Sequence, residues 1–273
     1  MVKSKKLFSR RSFFKSAGLL TASTLLSNEV IDASQELKVK GFYENNVLMR
    51  TLGRTGLKVS AIGLGTIPLF RAPEKQAIDV IKKCYELGIN YIDTARAYRN
   101  GLSEEYVGKA VKGIRDKFVI VSKSKDFTKK ASEHIDQSLK ALQTDYIDIY
   151  CFHELCQEEE WEKVTGPNGA MEAFKKAQKE GKIRYIGISG HRSDQLTEII
   201  KCGDIDVVII PFNFVFDDAL YDLCPEAKKL NVGLAAIKPF AGCFLNQHEL
   251  SLRWILETPF DIACLLYTSD AAD

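Results

Sequence analysis

The sequence predicts an α/β protein built as a (β/α)8 TIM barrel with an N-terminal β-hairpin plug. Short, nearly continuous apolar segments alternate with amphipathic segments along one uninterrupted stretch, as buried parallel strands and crossover helices do. No G-x-G-x-x-G follows the first predicted strand, so the dinucleotide fingerprint of an open doubly wound sheet is absent. The segment VLMRTLGRTGLKVS, residues 47–60, has a hairpin pattern with glycines in its turn and precedes the first barrel strand.

Seven barrel strands are predicted from short apolar runs at residues 61–64, 91–93, 118–122, 146–152, 185–189, 207–210 and 232–238. The amphipathic segments between them predict helices at 74–87, 103–111, 128–142, 168–180, 193–201, 220–230 and 250–257. The first helix has apolar residues at helical spacing and Gly88 as its C-cap. Strand–helix units in unbroken succession imply one right-handed α/β sheet.

The barrel predicted from the sequence is incomplete. Residues 47–263 are fewer than the roughly 250 that a TIM barrel usually contains. We therefore expect the eighth strand and the C-terminal loops to be missing from this chain, with residues 261–263 as a mere beginning of that strand. The first and seventh barrel strands would then have unpaired edges.

Residues 1–33 form a predicted signal region, and residues 34–46 a linker. A basic start leads to Arg10 and Arg11 in SRRSFFK and then to a weakly apolar run at 17–26, which resembles the twin-arginine (Tat) export signal of bacteria. The alternatives are a frayed basic terminus or a membrane anchor, although the run is shorter than the roughly 20 residues of a spanning helix.

This resemblance implies a periplasmic or cell-envelope location. Cleavage is expected near Ala33, unless the signal is retained as an anchor. The Tat translocon would be a partner during export, and no stable membrane span is expected afterwards.

Residues 264–273, CLLYTSDAAD, differ in pattern from everything before them. They resemble the conceptual translation of a transposase-type sequencing adapter, so the barrel domain is predicted to span residues 47–263. The alternative is a genuine short C-terminal tail.

Composition favours small-molecule chemistry over other functions. Of the 273 residues, 45% are hydrophobic and 27% charged, as is usual in a globular protein. The net charge of +2 is spread without a basic block, so neither nucleic acid nor a membrane surface is an expected partner. The seven cysteines show no CxxC pair and no zinc or iron–sulfur spacing, so no metal site is predicted. A monomer is expected.

Polar residues stand at the predicted carboxyl ends of consecutive strands, where the chemistry of a (β/α)8 barrel occurs. Asp93 ends the second strand and Tyr98 follows it, whereas Lys123 and His153 end the third and fourth. Taken singly, Asp93 could cap a helical turn, Tyr98 could be a loop aromatic and His153 a structural histidine. Because neighbouring strands lie about 4.8 Å apart, the side chains can instead converge on one point.

Together these side chains could donate a proton to a developing alkoxide. A phenol with a pKa near 10 is a weak acid at neutral pH until a cation stabilises its phenolate. Lys123 at about 4 Å could supply up to ~4 kcal/mol at an effective dielectric near 20, before desolvation is counted. Asp93 would keep that lysine charged, and His153 would orient a carbonyl. The set lacks a hydride donor, so a nicotinamide cofactor is implied.

Four motifs carry a resemblance to a known family. RTLGRTGLKVSAIGLGT, YIDTARAYRNGLSEEYVGKAV, SLKALQTDYIDIYCFH and GKIRYIGISGH resemble the aldo/keto reductase superfamily along nearly all of residues 47–263. The resemblance implies a catalytic tetrad of Asp93, Tyr98, Lys123 and His153, a carbonyl substrate, and NAD(P)H across the rim, with NADP(H) expected over NAD(H). It also implies a set of cofactor-binding residues, namely Gly65, Thr66, Asp93, Ser189, Gly190, Ile237, Lys238, Pro239, Phe240 and Gly242.

Within that set, the resemblance places Gly65 and Thr66 near the cofactor, Ser189 on its carboxamide, and residues 238–242 along its pyrophosphate. Departures from the family pattern affect the nicotinamide side. The family usually has Asn at the position of Gly190, often has Gln at that of Ile209, and often stacks a tyrosine at that of Ile237. One carboxamide contact would therefore be lost or moved to His191.

The predicted function is reduction of an aldehyde or ketone to an alcohol, or the reverse, with Tyr98 as the general acid or base. The alternative is a non-catalytic barrel that binds the nicotinamide cofactor as a sensor or accessory subunit. Glu154 and the acidic residues after it leave open either a polar ligand or a solvated loop. Residues 157–167 exceed a usual strand-to-helix connection and could form a lid.

Overall fold

The computed structural model describes residues 41–266, which begin with a three-stranded antiparallel sheet. Its strands are β1 (Phe42–Glu44), β2 (Val47–Thr51) and β3 (Lys58–Ser60). The pairing of β2 with β3 confirms the hairpin predicted at residues 47–60. Strand β1 lies inside the predicted linker 34–46, so the antiparallel sheet begins before the predicted domain start at residue 47. Asn45 and Asn46 make the turn possible because both adopt left-handed conformations, with φ of 49° and 65°.

Parallel strands then close into a barrel. They are β4 (Ile62–Gly65), β5 (Tyr91–Asp93), β6 (Val119–Ser124), β7 (Ile147–Phe152), β8 (Ile183–Ser189), β9 (Val207–Pro211), β10 (Gly233–Ile237) and β11 (Ile262–Leu266). Around the barrel each strand pairs with its neighbours in sequence, and β11 closes the ring by pairing with β4. The predicted (β/α)8 barrel is confirmed.

The helices between these strands pack around the outside of the barrel, as the alternation predicted. They are α1 (Glu74–Glu86), α2 (Leu102–Ala110), α3 (Ala131–Leu142), α4 (Glu158–Thr165), α5 (Ala170–Lys179), α6 (Ser193–Ile200), α7 (Leu223–Leu230) and α8 (His248–Leu256). Every predicted helix is present, with ends that differ from the prediction by no more than three residues.

The eighth barrel strand is present, so the prediction that it is missing is wrong. β11 continues three residues past the predicted domain end at 263 and pairs with both β10 and β4. The strand forms because Cys264, Leu265 and Leu266 are apolar and suit a buried position. In an extended conformation this segment pairs with the backbone N–H and C=O groups that β4 and β10 would otherwise leave exposed. The interpretation of residues 264–273 as a translated adapter stays a prediction, and residues 267–273 lie outside the described residues.

Helix α4 replaces most of the loop predicted at residues 157–167. Gln157 and Glu160 form a reciprocal capping box at its start, and the Glu160 carboxylate accepts hydrogen bonds from the backbone N–H groups of Cys156 and Gln157. The acidic residues 158–160 therefore occupy the first helical turn, where the helix dipole favours negative charge. A signal was available in the sequence, because Glu stands three residues after a polar residue.

The hairpin closes the amino-terminal end of the barrel. Leu52 and Val59 are completely buried and belong to the same apolar cluster as Tyr91 and other residues that point into the barrel. The Tyr185 hydroxyl donates a hydrogen bond to the Thr55 carbonyl, which fixes the hairpin turn to β8. The prediction that this hairpin acts as a plug is thus confirmed.

Aspartates support the strands at the same end of the barrel. The carboxylates of Asp148, Asp206 and Asp261 each accept the backbone N–H of a residue on the neighbouring strand, respectively Ile120, Ile186 and Leu234. Arginine side chains balance this charge. Arg115 and Arg184 bind Asp148, and Arg54 binds Asp206. This end of a barrel serves stability, while catalysis occurs at the opposite end.

Between residues 41 and 266, no helix combines the length and the apolar character that crossing a membrane requires. The predicted signal region at residues 1–33 lies outside the described residues.

Candidate active site

Asp93 and Lys123 form a buried ion pair at the carboxyl end of the barrel. Asp93 is the last residue of β5, and Lys123 is the penultimate residue of the adjacent strand β6. The Lys123 Nζ donates a hydrogen bond of 2.5 Å to Asp93 Oδ1 and one of 2.9 Å to the Thr94 carbonyl. Both residues are only 2% exposed. This register brings together side chains that are 30 positions apart in the sequence.

Tyr98 and His153 lie over this ion pair. Tyr98 is half-buried in the loop between β5 and α2, and its ring centroid is 5.6 Å from the Lys123 Nζ. His153 directly follows β7, and its ring stands edge-on to the Tyr98 ring, with 5.7 Å between centroids and 76° between planes. The structure therefore brings the four residues of the predicted tetrad together, while their catalytic roles stay a prediction.

Burial and the attraction between Asp93 and Lys123 have opposite effects on the pKa of each residue. Burial lowers the pKa of Lys123, but the attraction of the Asp93 carboxylate and its hydrogen bond favour the charged form, and the net shift is upward. Burial raises the pKa of Asp93, and Lys123 opposes that shift. The lysine therefore stays protonated at neutral pH, as the sequence predicted.

Burial dominates the acidity of Tyr98. It raises the pKa of the phenol well above the ordinary value, and the Lys123 charge only partly opposes this. Because desolvation was not counted in the prediction from the sequence, the phenol is less acidic than predicted. The consequence is that the hydroxyl stays protonated across the neutral range and is available as a donor.

His153 is a neutral imidazole. Burial lowers its pKa to about 2, and the nearby cations Lys123 and Lys125 and the neighbouring His191 act in the same direction. Its Nδ1 is buried and has no hydrogen-bond partner within the protein. A neutral imidazole can orient a substrate oxygen through a hydrogen bond without adding a charge.

A cluster of buried hydroxyls, which the sequence did not predict, supports Asp93. The Thr66 hydroxyl donates to the Asp93 carbonyl at 3.0 Å and lies 2.7 Å from the Ser103 hydroxyl, which also accepts a hydrogen bond from Thr94. The side chain of Thr66, predicted to approach the cofactor, is thus occupied in holding the end of β5. Gly65 pairs directly with Asp93 across β4 and β5.

Ser189 ends β8 beside the tetrad, and Gly190 directly follows it. The Ser189 hydroxyl accepts the backbone N–H of Glu154 at 2.9 Å and thereby fixes the chain just after His153. A Cβ atom at Gly190 would meet the Leu155 carbonyl at 2.5 Å, so only glycine fits. This close approach explains why the chain departs from the asparagine expected there. Ile209 is completely buried in the barrel interior, and its side chain has no polar atom.

Of residues 238–242, predicted along the pyrophosphate, Lys238, Ala241 and Gly242 line a cleft of about 400 Å³ beyond β8, β9 and β10. His191 and Ser193 also line it. The turn carrying Lys238 is held because the Asn213 amide donates to the Lys238 carbonyl at 3.0 Å. The other predicted residues lie beside the cleft. Ile237 packs against the barrel core, Pro239 is buried, and Phe240 contacts the His248 ring.

The residues present fit a nicotinamide cofactor. Asp93 Oδ2 and His153 Nδ1 are buried polar atoms without a partner in the protein, and both belong to the tetrad at the carboxyl-end rim of the barrel. Such atoms normally have a partner, so a polar ligand group at this rim would satisfy them. Within the described residues, no three His, Cys, Asp or Glu side chains are grouped as a metal site would require.

Comparison with known proteins identifies the family. The model of the aldo/keto reductase family matches residues 61–254. L-galactose dehydrogenase from Arabidopsis thaliana is 33% identical over 217 residues, which cover 73% of this chain and 67% of that protein.

Solved structures agree with this assignment. An aldo-keto reductase from Klebsiella pneumoniae in complex with NADP and acetate has 28% identity and a TM-score of 0.63, covering 72% of this chain and 70% of that one. An aldo-keto reductase from Bacillus halodurans has 31% identity and a TM-score of 0.62, covering 71% and 67%. These matches support an oxidoreductase that uses NAD(P)H. The chain belongs to the aldo/keto reductase family.

Proposed function

We propose that the protein reduces an aldehyde or ketone to an alcohol with NAD(P)H, or catalyses the reverse reaction. The observation that carries the proposal is the contact of Tyr98 with a lysine that is buried and charged, beside a neutral histidine. This arrangement supplies a proton and an orienting hydrogen bond at one point, which is what carbonyl reduction requires of the protein. The nicotinamide cofactor, when bound, supplies the hydride.

Each residue then has one role. His153 donates a hydrogen bond to the carbonyl oxygen and orients it toward Tyr98. The Tyr98 hydroxyl gives its proton to that oxygen as negative charge develops on it. Lys123 stabilises the phenolate that remains, and Asp93 holds the lysine in place. In the reverse direction the Tyr98 phenolate accepts the proton from the alcohol.

Lys238 and Gly242 would hold the cofactor pyrophosphate in the cleft beside His191. The positive charge of Lys238 suits an anionic group. Ala241, Gly242 and Cys243 all have positive φ, and turns of this kind can direct successive backbone N–H groups toward an anion. NADP(H) is proposed over NAD(H), with support from the NADP complex of the Klebsiella pneumoniae relative.

A polar carbonyl compound is the proposed substrate class. Lys125 and Glu154 form an ion pair at the mouth of the site, one residue beyond β6 and two beyond β7, and His191 is exposed nearby. Burial raises the pKa of Glu154, but the hydrogen bond from Lys125 and the nearby cationic side chains together outweigh it, and the net shift is downward. This charged rim favours a hydroxylated substrate, and the similarity to L-galactose dehydrogenase supports the same class.

Cofactor consumption tests the proposal. Purified protein is mixed with NADPH or NADH and a panel of hydroxylated and apolar aldehydes and ketones, and the absorbance of the reduced cofactor is followed. We expect NADPH consumption with the hydroxylated carbonyls. A folded protein that consumes neither cofactor with any compound would contradict the proposed reaction.

A second function is favoured by Gly190 and Ile209, because neither offers a polar side-chain atom near the expected carboxamide position. In this alternative the barrel binds the cofactor without turnover, as a sensor or accessory subunit. Cofactor titration by tryptophan fluorescence separates the two functions. Saturable binding with no consumption would favour the sensor, whereas binding with consumption favours the enzyme.

We also propose export by the Tat route, on the basis of Arg10 and Arg11. Replacing both by lysine should retain the protein in the cytoplasm of a bacterial host, because that route reads the arginine pair. Immunoblots of periplasmic and cytoplasmic fractions measure the outcome, with Lys5→Arg/Lys6→Arg as the charge-matched control. Equal periplasmic amounts of all three proteins would refute the signal.

A further inference from the structure

A left-handed turn directly follows Tyr98. Arg99, Asn100 and Gly101 have φ of 50°, 52° and 89°, so three successive residues occupy a region that residues with a Cβ atom rarely adopt. The Ser103 N–H approaches the Tyr98 carbonyl at 3.5 Å, a long hydrogen bond. Such a turn persists only when surrounding groups hold it.

The Arg96 side chain contacts this turn. Its Nη1 donates a hydrogen bond of 2.7 Å to the Asn100 carbonyl, and its Nε donates one of 3.0 Å to the Gln137 side chain on α3. Its backbone N–H donates to the Lys123 carbonyl at 3.1 Å. A Cβ atom at Gly101 would lie 1.6 Å from Nη1, so the guanidinium fills the space beneath that glycine.

The guanidinium also faces a buried carboxylate. Glu104 on α2 is 0% exposed, and its Oε2 lies 3.5 Å from the Arg96 Nη1. Its Oε1 accepts a hydrogen bond of 2.6 Å from the hydroxyl of Ser122, the residue before Lys123 in β6. Arg96 thus connects the Tyr98 loop with the strand that carries the lysine. A buried charge of this kind usually has a counter-ion.

We propose that Arg96 is a positioning residue that holds the left-handed turn and thereby fixes the Tyr98 hydroxyl relative to Lys123 and His153. The inference deepens the proposed function and rests on it. Arg96 acts through Tyr98 and takes no proton itself. Glu104 in turn holds the Arg96 guanidinium through their ion pair.

Steady-state kinetics test this role. Arg96→Met should lower kcat about 10- to 100-fold, because a displacement of about 1 Å at the reacting group can cost on the order of 10²-fold. The KM for NADPH should stay unchanged, since the proposed cofactor cleft is lined by other residues. Arg96→Lys, which keeps a charge beside Glu104, should recover part of kcat. Arg99→Met, at an exposed residue of the same turn, is the control and should match the wild type.

The pH profile of alcohol oxidation gives a readout that a general loss of stability would not move. Among the titratable groups that act on Tyr98, namely Lys123, Asp93, Cys264 and Glu154, Lys123 alone favours the phenolate. Moving Tyr98 away from Lys123 should therefore shift the rise of kcat to higher pH in Arg96→Met. An unchanged profile together with wild-type kcat would overturn the proposal.

Gly101→Ala provides an independent variant, because its methyl group would displace the Arg96 guanidinium. If both substitutions act by removing the same contact, the loss of kcat in the double variant Arg96→Met/Gly101→Ala should be clearly smaller than the two single losses combined. The effects on kcat should therefore be non-additive. Fully additive effects would contradict a shared mechanism. Should Arg96→Met fail to fold, Arg96→Lys and Gly101→Ala still decide the question.

Trypsin separates this inference from the proposed function. Cleavage after Arg99 in the native protein should be slow in the wild type and at least 10-fold faster in Arg96→Met, on the order expected when a local opening loses one stabilising contact. The assay needs no turnover, so it decides whether Arg96 holds the turn even if the wild type proves inactive. Equal cleavage rates would show that the turn does not depend on Arg96.

Discussion

Tyr98→Phe is expected to lower kcat for carbonyl reduction by about 10²- to 10⁴-fold, the usual contribution of a positioned general acid. The substitution removes the only atom of this side chain that can give a proton and leaves the ring contact with His153 in place. Cofactor affinity, measured by tryptophan fluorescence, should stay at the wild-type value. Turnover is measured from the loss of NADPH absorbance at saturating substrate.

The control for this prediction is Tyr221→Phe, at a tyrosine that is 63% exposed. It removes a hydroxyl of the same kind and should leave kcat unchanged. Undiminished turnover in Tyr98→Phe would remove the proposed acid and, with it, the role given to Lys123.

The pH dependence follows from the direction of the shift at Tyr98. Because burial raises the pKa of the phenol, the protonated form needed for reduction persists up to alkaline pH. Oxidation of the alcohol needs the phenolate, so its rate should rise with pH over the alkaline range. His153 adds no titration near neutral pH, since its pKa is lowered to about 2.

Asp148→Ala is expected to lower the free energy of unfolding by about 3–5 kcal/mol, as removal of one partner from a buried ion pair typically does. Asp148 is 1% exposed and accepts hydrogen bonds from Arg115 at 2.7 Å, from Arg184 at 3.0 Å and from the buried N–H of Ile120 at 2.9 Å. Alanine would leave all three donors without this acceptor. The two guanidinium groups also stack on the Tyr146 ring, at 4.3 Å and 3.9 Å.

Urea denaturation measures this loss, with Asp145→Ala as the matched control. Asp145 is an exposed aspartate three residues earlier, so its removal should change the free energy of unfolding by less than about 0.5 kcal/mol. Asp148→Asn should fall between the two, because the amide oxygen can still accept the Ile120 N–H. A loss in Asp148→Ala no larger than in the control would mean that the arginines rearrange to find water.

Local pattern was enough for the architecture and for the tetrad. The strand ends at Asp93 and near Lys123 and His153 are visible because apolar runs stop there, and consecutive parallel strands must place their carboxyl ends on one rim. Helix α4 was predictable in principle from its capping residues, but its short apolar stretch did not mark it as a helix. The missed hydroxyl cluster at Thr66, Thr94 and Ser103 left no sequence signal, since these residue types are common in loops.

The sequence by itself determined the alternation of strands and helices, the hairpin before them and the order of polar residues along the rim, because these depend on periodicity and chain order. Tertiary structure decided the rest. Pairing partners on β4 and β10 made β11 a strand, close packing against Leu155 fixed Gly190, and burial set the pKa of Tyr98 against the pull of Lys123. Each of these depends on contacts between distant residues, and neither the distance between two side chains nor the loss of water around them is encoded in spacing along the chain.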